Sequence, residues 1–84
     1  MTSLTTLQNI GPQSARWLTE VDIPTAEQLY EIGAVEAYQR VKTAFPDNVS
    51  INLLYALHGA IINIPWNKIP PEMKNDLQKQ ANIK

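Results

Sequence analysis

Residues 4–18 read Leu-Thr-Thr-Leu-Gln-Asn-Ile-Gly-Pro-Gln-Ser-Ala-Arg-Trp-Leu, and this stretch decides the fold. Leu4 and Leu7, three apart, fall on one face of a short helix from about Ser3 to Gln8. Asn9-Ile10-Gly11 breaks it. Pro12 suits the first turn of a following helix, where a missing N–H costs nothing, and that helix runs to about Val21 with Ala15 and Leu18 inward and Trp17 and Val21 beside them. Gly11 would supply a positive φ or a close approach that a Cβ would block. Ile10 would plug the gap between the two helices, and Ala15 would let them cross closely. The pattern over 3–21 is therefore helix, tight turn, helix.

Apolar spacings of three and four continue through the rest of the chain and alternation of period two is absent, so the fold class is all-α, with five to six short helices. Pro24 and Thr25 open a third helix, where Thr25 with Gln28 matches a capping box. Gly33 ends it as a left-handed cap and launches a fourth helix, Ala34 to Ala44, burying Ala34, Tyr38 and Val41 with Ala37 and Ala44 adjoining. Glu36 and Arg40 stand four apart in the favourable order. After the Pro46-Asp47-Asn48 turn, Ser50 is the N-cap of a central helix spanning about 50–64, which Pro65 stops. Pro70-Pro71 begin a last helix over 70–83, with Glu72 in its first turn and Met73 and Leu77 inward. On a helical wheel the central helix carries a broad stripe of Leu53, Leu54, Leu57, Ala60, Ile61 and Ile64, with Asn52, Gly59 and Asn63 opposite. A second stripe, Ile51, Tyr55, His58 and Ile62, either receives the C-terminal helix or is an interface with a partner.

Eighty-four residues make one domain, 1–84, with no linker inside it. A chain of 9.4 kDa folds to about 5,000 Å² of surface from roughly 13,600 Å² unfolded, enough for a modest core. The absence of cysteine excludes disulfides and thiol chemistry, and the lone His58 cannot build a multi-histidine metal centre, so neither a cofactor nor a metal is expected. No apolar run reaches a membrane span, and the polar start MTSLTTLQ is unlike a signal peptide, so a cytoplasmic protein with no membrane partner is expected. Net charge is −1, but unevenly spread. Residues 1–66 hold three bases and six acids; residues 67–84 hold Lys68, Lys74, Lys79 and Lys84 against Glu72 and Asp76. Duplex binding by an isolated domain needs a basic face, and this distribution argues against a strong autonomous DNA binder.

The 3–21 pattern looks like a helix-hairpin-helix, and 25–44, with Ile32-Gly33-Ala34 at its turn and Ala37 where Ala15 stood, reads as a looser second copy. In that motif, turn amides and the start of the second helix hold a phosphate. The candidate nucleic-acid-binding residues are accordingly Asn9, Ile10, Gly11, Gln13, Ser14 and Arg16; Asn9 replaces the usual first glycine, and Pro12 removes one amide. The alternative is a hairpin that only packs helices together. The second turn lies beside Glu31 and Glu36, which repel phosphate, and reads as a structural repeat.

Over nearly its whole length the sequence is similar to the C-terminal domain of the TfoX/Sxy competence-regulator family. The resemblance is carried by Asn-Ile-Gly-Pro-x-Ser-Ala-x-Trp-Leu at 9–18, Thr-x-x-x-Leu at 25–29, Gly-Ala-Val-x-Ala-Tyr at 33–38, Ser-x-Asn-Leu-Leu-Tyr-Ala-Leu-x-Gly-Ala at 50–60, then Trp66 and Ile69-Pro70. It implies a helical, non-enzymatic regulatory domain that works with a DNA-bound transcription activator, with DNA contact weak or partner-assisted. Family regulators pair this domain with an N-terminal one, for which 84 residues leave no room, so a stand-alone copy is expected. The alternative function is a homodimerising or structural protein-interaction domain that uses Ile51, Tyr55, His58 and Ile62; a monomer or a homodimer fits the sequence equally.

The remaining features read as structural. Asn48-Val49-Ser50 matches a glycosylation acceptor, but Ser50 is better used as a cap. His58 has no Ser, Cys or Asp at helical spacing to make it a general base and reads as a partly buried histidine. Trp17 and Trp66 are either packing residues or stacking platforms for unpaired bases. The C-terminal lysines read as a solvated helix face.

Overall fold

Local chemistry sets most of the helix ends. The computed structural model describes residues 3–81: a 3-10 turn at Leu4–Thr6, α1 (Pro12–Glu20), α2 (Ala26–Ile32), α3 (Ala34–Ala44), α4 (Ile51–Ile62), a second 3-10 turn at Trp66–Lys68 and α5 (Pro71–Gln80). No strand occurs among the described residues, and the all-α class holds. The expected last positions of the C-terminal helix, Asn82 and Ile83, lie outside the described residues, as does Lys84.

α1 starts at Pro12 and ends in a Schellman motif. Asp22 takes the left-handed conformation (φ 71°); its N–H donates to the Thr19 carbonyl at 3.1 Å and the Ile23 N–H to the Leu18 carbonyl at 2.8 Å. Leu18 and Ile23, the apolar pair that accompanies such a cap, are both fully buried. Thr25 caps α2, its hydroxyl accepting the Gln28 N–H at 3.3 Å, which is the hydroxyl half of the expected box. Gly33 alone separates α2 from α3, at φ 88° and ψ 160°, so it has a positive φ but not the left-handed αL conformation expected of the cap. That conformation requires glycine.

α4 stops at Ile62, earlier than Pro65 would impose. Asn63 enters the left-handed region (φ 62°), and the Ile64 N–H closes back on the Gly59 carbonyl at 2.8 Å. Ser50 occupies the N-cap position with no hydroxyl bond; its carbonyl takes the Leu53 N–H at 3.0 Å.

The core forms around α4, whose most extensive neighbour is α3. Leu18, Ile23, Leu29, Val41, Leu54 and Leu57 are the largest fully buried side chains, each adding about 1.5–3 kcal/mol by leaving water. The Cα radius of gyration is 11.6 Å, close to the ~12 Å expected of a compact single domain this long. The surface is 5146 Å².

Three expectations need correction. Residues 3–8 do not form an α-helix: only Leu4–Thr6 coil, as one 3-10 turn, so the first arm of the expected hairpin is a single turn rather than a helix. A six-residue helix cannot recover its nucleation cost. Thr6 also spends both its N–H and its hydroxyl on the Ser3 carbonyl. Ala44 is exposed rather than packed, and Gly59 is buried rather than on the polar side of α4.

Candidate nucleic-acid interface

The turn between the first 3-10 segment and α1 is built by Asn9 rather than by Gly11. Asn9 adopts φ 70°, a region asparagine tolerates better than most side chains. Gly11 has φ −92° and ψ −177°, ordinary extended backbone, and a Cβ there would meet nothing within 4 Å. The expectation that Gly11 supplies a positive φ or a close approach is therefore overturned.

Asn9 also uses its whole amide inside the fold. Its Nδ2 donates to the Ile64 carbonyl at 2.9 Å and, more weakly, to the Ala56 carbonyl at 3.4 Å. Its Oδ1 accepts the Trp66 N–H at 3.0 Å. One side chain thus ties the N-terminal turn to the end of α4 and to the second 3-10 turn. The close approach that sequence assigned to Gly11 occurs at Gly59, where a Cβ would overlap both the Ile64 carbonyl oxygen and Asn9 Nδ2. Beside the clamp, Ile10 is buried in the core, though with a single 3-10 turn before it there is no helix pair for it to plug.

The six candidate residues therefore divide. Asn9 and Ile10 hold the turn in place. Gly11, Gln13 and Arg16 are exposed and Ser14 half-buried at the start of α1, where the first amides of a helix have no intrahelical acceptor. Arg16 stands one turn beyond Pro12 on the same side of α1. Across the clamp lie Trp66, 46% exposed, and Lys68, exposed in the same 3-10 turn. Residues 3–19 and 51–71, the two segments that Asn9 joins, contain no Asp or Glu. The nearest acid on α1, Glu20, lies about 12 Å along the helix from Pro12.

Of the second stripe on α4, two residues lie under α5. Lys74 Nζ sits 5.1 Å from the centre of the Tyr55 ring, and Gln78 Nε2 donates to the Tyr55 hydroxyl. His58 Nε2 is 3.0 Å from Met73 Sδ. Burial holds the His58 pKa below the ordinary imidazole value, because a charged ring loses hydration there. Burial, and then the neighbouring Tyr55, raise the Tyr38 phenol. Ile51 is half-buried near Tyr38 and Ala81, and Ile62 is exposed, so a partner approaching this stripe meets chiefly Ile62.

Elsewhere the expected Glu36–Arg40 pair forms at 2.6 Å on the surface. Lys42 is spent on the Val49 and Pro46 carbonyls. Trp17 packs against Phe45 with ring centroids 6.3 Å apart. No group of three or more His, Asp or Glu placed to hold a metal occurs among the described residues, nor does any helix long and apolar enough to cross a membrane.

These features define a small helical domain with an internally clamped turn. Residues 1–81 match the model of the TfoX C-terminal domain, and the chain belongs to that family. It is 25% identical over 75 residues to the DNA transformation protein TfoX1 of Aliivibrio fischeri, spanning 89% of this chain and 36% of that protein, so it corresponds to about a third of that relative's length. It is 32% identical over 85 residues to the mitomycin resistance protein McrB of Streptomyces lavendulae, covering 94% of this chain and 81% of McrB. Two crystal structures from Listeria monocytogenes share the fold. An uncharacterized protein in a triclinic form superposes with a TM-score of 0.87 at 31% identity, over 96% of this chain and 91% of that one. A protein of unknown function in a tetragonal form gives 0.86 at 32% identity, over 94% and 96%.

Proposed function

We propose that this domain is a non-enzymatic regulatory binding module, an accessory factor in transcription control of the competence type, which touches DNA through the Asn9-anchored surface while a DNA-bound activator supplies most of the affinity. The observation that carries the reading is the clamp itself. It joins two segments free of carboxylates, in which Arg16 and Lys68 are exposed and the first amides of α1 have no intrahelical acceptor. A phosphate there meets helix-terminal N–H groups and two cations without a nearby acid in either segment. Gly11, Gln13, Ser14 and Arg16 make the contact; Asn9 and Ile10 position it. The family relation to a DNA transformation protein supports a role in DNA-uptake control, and the name of McrB places a second relative in mitomycin resistance.

Two cations make a weak site. Anisotropy titrations with labelled duplex and single strands at about 50 mM salt test it, and the log–log salt slope on duplex should be shallow, near −2, at about −0.9 per neutralised phosphate. A flat response to both kinds of strand overturns the DNA contact and leaves the homodimer or protein-interaction reading, with Ile62 as the exposed member of its stripe.

A further inference from the structure

We propose that Trp66 stacks on an unpaired base, so that this surface prefers single-stranded DNA to duplex. The inference rests on the DNA contact proposed above and adds the form of DNA it takes. Among the described residues three large apolar side chains are prominently exposed: Tyr30, Ile62 and Trp66. Two of them, Ile62 and Trp66, lie within five positions of each other, in a segment without carboxylates. Trp66 is also held rather than loosely tethered. Its backbone N–H is given to Asn9 Oδ1 at 3.0 Å, the Lys68 N–H closes on the Pro65 carbonyl at 2.9 Å, and Ile69, three residues on, is buried as the anchor of the turn. Pro65 and Pro70 stiffen both flanks.

An exposed indole on an anchored backbone, with a lysine two positions on, is the kind of element that single-strand binders use. Stacking needs the face of a base, which stacked neighbours cover in a duplex and which an unpaired, unstacked base offers. Lys68, two positions away, and Arg16 on α1 supply the phosphate attraction that brings the strand to the ring. An acidic protein segment would gain from the same cations but, unlike a nucleotide strand, does not carry a planar ring with every negative charge. Trp17, the other tryptophan, is engaged with Phe45.

Trp17→Phe leaves Trp66 as the sole indole, so emission reports on it alone. That protein is titrated with an oligothymidine of about 12 nucleotides, within the usual single-strand site size, with an abasic strand of equal length, and with duplex. The expected result is quenching of Trp66 by oligothymidine, little by the abasic strand, and weaker binding of duplex. Trp66→Ala in the natural background should lower oligothymidine affinity by about 5- to 150-fold with abasic-strand affinity and helical circular dichroism unchanged; Trp66→Phe should recover part of the loss. Equal affinity for thymidine and abasic strands, with Trp66 emission unmoved, overturns the stacking while leaving the phosphate contact intact. No binding to any strand overturns both.

Discussion

Replacing Asn9 with alanine removes a side chain that bridges three parts of the chain, and the cost can be assembled from the geometry. The bonds to the Ile64 carbonyl (2.9 Å) and from the Trp66 N–H (3.0 Å) are well formed, and each is worth about 1 kcal/mol net. The third, at 3.4 Å, adds little. Holding alanine at φ 70° costs about 1 kcal/mol more. The sum is about 3 kcal/mol, a melting-temperature drop of about 12–24 °C for a domain this small. Asn9→Gly loses the same hydrogen bonds without the backbone strain, so it should fall about 1 kcal/mol short of the alanine variant. Urea melts followed by circular dichroism measure both. Gly59→Ala closes the cycle: its methyl group would collide with Asn9 Nδ2 and the Ile64 oxygen, so it should harm the Asn9→Ala background less than the natural one, with a coupling of about 1 kcal/mol. An Asn9→Ala variant within about 0.5 kcal/mol of the natural protein, below the error of such bookkeeping, refutes the clamp.

Gly11→Asp should separate folding from binding. At the N-cap of α1 a carboxylate satisfies the free amides and raises stability by about 0.5–1.5 kcal/mol, while occupying and repelling the phosphate site; urea melts should improve as anisotropy-measured DNA affinity drops, and unchanged affinity would exclude those amides as the contact. Gly33→Ala should destabilise by about 1–2 kcal/mol through its φ of 88° alone, since a Cβ meets nothing within 4 Å; D-alanine at position 33, introduced by chemical synthesis, should not, and equal losses from both would refute a conformational cause. His58 gives a pH signature. Its folded pKa lies below the unfolded value, so the unfolded chain binds the proton first and stability falls as pH drops below about 6.5 toward the folded pKa. Glu36 lines the same cleft but is paired with Arg40, and Lys74 of α5 sits over Tyr55. His58→Gln should flatten that part of the stability–pH curve, and an unchanged slope would assign it to another group.

What the sequence disclosed follows the range of each interaction. The α2–α3 junction was legible because a capping threonine, a glycine at the joint and an apolar face at 3.6 spacing all act within one or two turns. The apolar girth of α4 likewise marked it as central. The Asn9 clamp was invisible because its partners lie 47, 55 and 57 positions away, and no local propensity encodes such a distance. Gly11 marks the break in the chain by its composition but carries no unusual dihedral. One signal was available for Gly59. A glycine inside a helix costs about 1 kcal/mol against alanine, so its place within an otherwise apolar α4 asked for a packing reason, whereas a hydropathy wheel counts it merely as not apolar. The first helix failed for a related reason: a correct spacing of two leucines over six residues does not outweigh nucleation.

Folding regroups the charges. Divided along the sequence, residues 1–66 are acidic and their turn looks hostile to phosphate. But all six of those acids lie from Glu20 to Asp47, in the end of α1, the connection to α2, α2, α3 and the turn after them. The clamp bypasses that block and joins residues 3–19 directly to the end of α4 and the turn that follows. α2, outside the clamped segments, exposes Tyr30 with Glu31 next to it in sequence, a composition suited to a basic protein surface. A net charge of −1 is therefore the sum of two segregated populations rather than a property of either. Under the proposed function, a basic, DNA-bound partner would hold the module by its acidic segments and leave the carboxylate-free ones to meet a phosphate.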